Sequence, residues 1–112
     1  MKEIKAYLHA NRIAEVIAAL KDSTAWGTVC GADPHNLTVY IVKGSLVPID
    51  DRERQYSMEL GDEVVNEYKL ELLCDEAHVD ELVAIIRAVA RTGQANAGWV
   101  YVTEVQLALP IG

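Results

Sequence analysis

A chain of 112 residues has material for one compact domain with a single core, and none for a second independently stable unit. Its composition, 51% hydrophobic and 24% charged, excludes the polar profile of a disordered segment, and a formal net charge of −7 argues against electrostatic capture of nucleic acid or of an anionic membrane. Phe is absent, so the core has to be built from Val, Ile, Leu and Ala, and two Trp and five Tyr stand out as candidate surface or ligand contacts.

The opening MKEIKAYLHANR alternates charged and apolar residues. It has neither the apolar centre of a signal peptide nor the uninterrupted apolar length that a bilayer demands, so a cytoplasmic protein without membrane insertion is expected. In that compartment Cys30 and Cys74 are expected as reduced thiols rather than as a disulfide.

Lys2 to His9 place Ile4, Ala6 and Leu8 on one face and Glu3, Lys5 and Tyr7 on the other, the period of a half-buried strand. Asn11 is suited to cap a helix whose stripe is Ile13, Val16, Ile17 and Leu20. From Lys21 to Asn36 no period holds, which predicts a loop with a short strand around Thr28 to Cys30. Leu37 to Val42 is a β-branched and aromatic run, read as a second strand buried on both faces.

The segment from Gly44 to Gly61 contains Pro48 and the charged run Asp50 to Arg54, which points to a long solvent-exposed loop suited to docking on another protein. A third strand follows, beginning near Glu63, in which Tyr68, Leu70, Leu72 and Cys74 alternate with Lys69, Glu71 and Leu73. Asp75 is positioned to cap a second helix with the stripe Val79, Leu82, Val83, Ile86, Val89 and Ala90. The turn Thr92 to Gly98 stops that helix, and Trp99 to Leu107 predicts a fourth strand.

The order β-α-β-β-α-β is that of an α+β, ferredoxin-like sandwich, with two helices on one face of a four-stranded antiparallel sheet. The other face, taken as apolar, would need a partner, and an oligomer is expected.

Chemistry is concentrated in the turn Ala90 to Gly98, where two glycines, the Thr92 hydroxyl and Arg91 frame backbone N–H groups that could hold an anion; an ordinary helix-to-strand connection has the same pattern. His9, His35, His78, Cys30 and Cys74 fall at no structural-zinc spacing, and only Cys74 with His78 could share a face. No Ser, Cys or Thr stands with a base and an orienting third group, so an enzyme is not expected. For a hydrolase, the first turn offers only Arg12.

Met1-Lys2-Glu3-Ile4, the stretch from Leu37-Thr38-Val39 to Val42-Lys43-Gly44, Lys69-Leu70-Glu71-Leu72, and Ile85-Ile86-Arg87 through Thr92-Gly93 together resemble the PII signalling family over most of the chain. The resemblance implies a homotrimer with adenine nucleotides in its inter-subunit clefts and a long loop that docks onto a transporter or an enzyme. By position it implies that Thr38 contacts the adenine, Gly44 opens the mobile loop, Leu72 and Leu73 line the base pocket, and Thr92, Gly93 and Gly98 form the phosphate-side loop.

The departures redirect the ligand. Trp99 stands where the family has a phosphate-binding lysine, and Pro110 and Gly112 stand where it has arginines, which leaves Arg52, Arg54 or Arg91 to substitute. Each lost charge-assisted contact costs about 1.5–3 kcal/mol, so ADP or AMP is favoured over ATP. Pro48 and Glu67 replace residues tied to magnesium and 2-oxoglutarate, and Leu60 replaces a modified tyrosine although Tyr56 is near, so neither 2-oxoglutarate sensing nor uridylylation is expected. The pattern is similar to divergent members, including the carboxysome-associated subgroup, for which the resemblance implies ADP or AMP together with bicarbonate, with Ser45, Arg52 and Arg54 as loop contacts to a partner or anion. A trimeric metal-tolerance protein of the same fold is the alternative.

Overall fold

The computed structural model describes residues 1–27, 35–49 and 51–112, with Asp51 described through its backbone alone. The strand read around Thr28 to Cys30, and Cys30 itself, lie outside the described residues. In chain order the elements are β1 (Lys2–His9), α1 (Ile13–Lys21), β2 (Thr38–Gly44), β3 (Arg54–Ser57), β4 (Asp62–Cys74), α2 (Val79–Val89) and β5 (Trp99–Glu104), with 3-10 turns at Asp51–Glu53 and Glu76–His78. The protein is therefore α+β, with two helices on an antiparallel sheet of five strands.

The sheet order is β2-β4-β1-β5, with β3 also paired to β4. β1 lies between β4 and β5, and its period-2 pattern is realised: Ile4, Ala6 and Leu8 are buried against the helices. They meet Val16 and Leu20 of α1, Leu70, Leu72 and Cys74 of β4, and Leu82 and Ile86 of α2. Both helical stripes face the core as their spacing predicts, with Ile13, Ile17, Val79, Val83 and Val89 packed at its margin.

Several sequence expectations change. Among the described residues β2 is an edge strand rather than one buried on both faces, and Ile41 is 62% exposed. β3 forms within the segment read as a loop, its four residues pairing Arg54 with Val65 through Ser57 with Asp62. Asn11 does not cap α1: the cap position is Arg12, whose N–H bonds the His9 carbonyl, and no side chain caps the helix. Asp75 stands at the cap of the 3-10 turn before α2, without a side-chain capping bond. β5 ends at Glu104, where Val105 N–H bonds the Met1 carbonyl, and Leu107, Leu109 and Ile111 are exposed.

The open face of the sheet is not the apolar surface that was expected. The register sets Tyr101, Lys5, Glu71 and Thr38 in one cross-strand row and Trp99, Tyr7, Lys69 and Tyr40 in the next. Lys69 Nζ lies 5.6 Å from the Tyr7 ring centre, 5.0 Å from that of Tyr40 and 3.1 Å from Glu71, and Tyr7 packs edge-on to Tyr101. Water can face such a row, so burial of apolar area is not the argument for association here.

Tyr40 Oη donates to Glu71 at 2.7 Å, and that bond, with Lys69 after it, holds the Glu71 carboxyl below its usual range. A carboxyl depressed in the folded state stabilises the fold above its unfolded value, and the contribution is lost as pH falls through the folded one. Tyr40→Phe should therefore cost less than about 1 kcal/mol at neutral pH, given solvent screening, and the deficit should vanish in acid. Urea denaturation across pH checks this.

The radius of gyration is 15.3 Å and the principal extents are 44 × 28 × 23 Å. A compact domain of this length has a radius of about 13 Å. β3 and the first half of β4 form a hairpin whose end, at Met58 and Leu60, is exposed.

Candidate functional site

A cleft of about 870 Å³ opens at the end of the molecule where β1 finishes and β5 starts. Its floor is Tyr7, Leu8, Trp99 and Val100, one wall is the C-terminal half of α2, and the other is the 90–98 loop. That loop reverses direction through Gly93 (φ +87°) and Asn96 (φ +57°), left-handed conformations that glycine and asparagine tolerate best. Gly98 passes close to β1, where an added Cβ would lie 3.0 Å from the Tyr7 carbonyl oxygen.

Two contacts tie the loop down. Arg12 Nε donates to the Arg91 carbonyl at 2.9 Å, joining the β1–α1 turn to the end of α2, and Gln94 N–H donates to Thr92 Oγ1 at 3.4 Å. This bond also assigns Arg12 a structural task. With the backbone held through Arg12, the Arg91 side chain remains exposed to the cleft.

Arg87 and Arg91, one helical turn apart, both line the cleft, and among the described residues no carboxylate joins them. On a chain of net charge −7 this is a local cationic surface, suited to an anionic group. Arg87 and Tyr7 are cleft residues that the sequence reading did not single out; the i, i+4 spacing of Arg87 and Arg91 was the available signal.

Of the residues predicted for a nucleotide, Arg91, Thr92, Gly93, Gly98 and Trp99 line this cleft, and Thr38, Gly44, Leu72 and Leu73 do not. Thr38 is exposed on β2, three strands from Trp99 and so about 14 Å across the sheet. Leu72 is 1% exposed and faces the helices, on the opposite side of β4 from Leu73, so it cannot line a pocket with Thr38. Leu73 is half-buried, its N–H and carbonyl both engaged by His35. Gly44 closes β2 against the buried Glu67 carboxylate, which leaves no room for a side chain.

The remaining candidates sit on the other loop. Ser45 and Arg52 are exposed, and Arg54 pairs with Glu63 at 3.9 Å. Arg52 and Arg54 do not line the cleft, so of the three proposed substitute cations only Arg91 reaches it.

Cys74 and His78 border a second, smaller cavity of about 230 Å³ with Asp75, His35 and Trp26. The His35 ring stacks on Trp26 at 4.1 Å, and its nitrogens lie 2.8 Å from the carbonyls of Leu73 and Trp26. Burial, with the charge of Asp75, pushes the Cys74 thiol up, which keeps it in the unreactive form. Among the described residues no three His, Cys, Asp or Glu side chains converge as metal ligands, and no helix is long and apolar enough to cross a membrane. No protein-family model matches the chain.

Proposed function

We propose that this chain is a PII-like regulatory protein whose copies assemble as a homotrimer around shared ligand sites. An adenine nucleotide, ADP or AMP before ATP, binds between neighbouring copies with bicarbonate as the accompanying small ligand. The 44–61 segment then acts on a partner transporter or enzyme, in inorganic-carbon or nitrogen metabolism. The observation that supports this best is the division of the candidate residues: a cationic, glycine-turned cleft at the β5 edge and Thr38 at the β2 edge. One copy cannot close both halves on a single ligand, so on this reading the site is completed by a neighbouring copy.

The hairpin supports the docking role. Tyr56, Met58 and Leu60 are 66%, 90% and 58% exposed at its end, apolar side chains with nothing among the described residues to cover them. Isothermal calorimetry with AMP, ADP and ATP, with and without bicarbonate, tests the ligand, and light scattering at the same concentrations tests the trimer. Thr38→Val should weaken the best nucleotide about fivefold, the worth of one neutral hydrogen bond. No heat from any nucleotide at millimolar concentration would remove the sensor reading.

A further inference from the structure

His9 is 1% exposed although it points to the open side of the sheet, away from both helices. The chain after β2 covers it. His9 Nε2 lies 2.7 Å from the Val47 carbonyl oxygen, and Nδ1 lies 3.5 Å from Glu53 Oε2 without forming a hydrogen bond. Directly across from His9 on β4, Glu67 is 4% exposed and accepts the Leu46 N–H at 2.9 Å. The covering segment is thus held at adjacent residues, Leu46 by a carboxylate and Val47 by an imidazole.

A carbonyl oxygen only accepts, so Nε2 carries a hydrogen, and a neutral ring would then turn the Nδ1 lone pair toward a carboxylate. Only the imidazolium presents an N–H on both sides, toward Val47 and toward Glu53. Among the described residues, Glu53 from the 3-10 turn and Glu67 from β4 face His9, and β3 brings Arg54 to the same face of β4 opposite Val65. The 44–49 segment brings none, Tyr7 is the same-face neighbour on β1, and Arg12 is turned to the Arg91 carbonyl.

We propose that His9 is a protonation-controlled latch: as an imidazolium it fastens residues 46–49 and Glu53 to the sheet through the Val47 carbonyl and the Glu53 carboxylate, and on losing the Nδ1 proton it keeps the Val47 contact, sets a lone pair against Glu53 and so loosens the strap. Loosening lets the strap open at Leu46 and Glu53 and bares the surface beneath it. Because His9 ends the strand whose Tyr7 and Leu8 line the cleft, the latch sits between the cleft and the hairpin. It stands whether or not the cleft takes a nucleotide.

The test uses the full chain without ligand. Nitrogen-15 correlation spectra of the imidazole between about pH 5 and 8 read the charge and tautomer of His9, and amide hydrogen exchange, corrected for intrinsic rates, reads closure at Leu46. The expected result is a doubly protonated ring with a protected Leu46 amide at the acid end. Loss of the proton should raise Leu46 exchange about tenfold while amides in the middle of β1 stay protected. His9→Gln should make Leu46 exchange independent of pH. Glu53→Gln, at a side chain 34% exposed, should keep the fold and shrink the tenfold difference. A neutral His9 throughout with unchanged Leu46 protection, or an undiminished pH dependence in Glu53→Gln, overturns the latch.

Discussion

Leu72→Ala is expected to lower the free energy of unfolding by about 2–5 kcal/mol. Leu72 is paired with Ile4 across β1 and β4, and it belongs to the same buried cluster as Leu70 and Leu82. Truncation removes three carbons from a site closed on every side, where strands on one side and helices on the other resist collapse into the gap. For a domain with roughly 5–15 kcal/mol in total, the loss is a large share. Equilibrium urea denaturation measures it, as a lower midpoint with little change in slope. The same variant separates two roles: a pocket-lining residue would change ligand affinity in the folded protein, and a core residue changes only how much protein is folded.

Arg91→Ala is expected to weaken ADP about 10- to 100-fold, the range for one charge-assisted hydrogen bond to a phosphate. The substitution leaves the Arg91 carbonyl in place to accept from Arg12, so the loop keeps its tether while its cation is lost. Lys21→Ala, at the exposed end of α1, removes the same net charge away from the cleft and should leave the affinity unchanged. Calorimetry of the two variants at fixed salt decides between local recognition and a general charge effect. Equal weakening in both would mean that Arg91 acts only through net charge.

The sequence made the core legible where one period dominates. Ile4-Ala6-Leu8 and the α2 stripe from Val79 to Val89 each repeat long enough to define a face, and the structure buries those faces. Position in the sheet is different information. Leu37 to Val42 has the composition of a central strand, yet β2 is an edge, because the number of neighbours a strand acquires is decided by the rest of the chain. β3 was hidden for a related reason: Arg-Gln-Tyr-Ser has little β signal of its own, and pairing with β4 supplies the order.

In the candidate site, the glycines and Thr92 marked the 90–98 loop, and the structure opens a cleft there. Leu72 and Leu73 show the limit. Adjacent strand residues face opposite ways, so two consecutive leucines cannot both line one pocket, and the burial of Leu70, Leu72 and Cys74 decides which of them faces the core. The covering of His9 by Val47 and Glu53 left no trace in composition, since it depends on a cross-strand glutamate and on a contact between positions 9 and 53.

β4 runs without a break from Asp62 to Cys74, and thirteen extended residues span about 43 Å, which is nearly the whole 44 Å length of the molecule. The exposed hairpin and the packed core are therefore two ends of one rod. A hinge between them would have to break hydrogen bonds shared with β2, so the hairpin tip moves by twist and bend of the strand rather than by swinging free. A force applied at Met58 or Leu60 is delivered along the strand to Leu70, Leu72 and Cys74, beneath the helices.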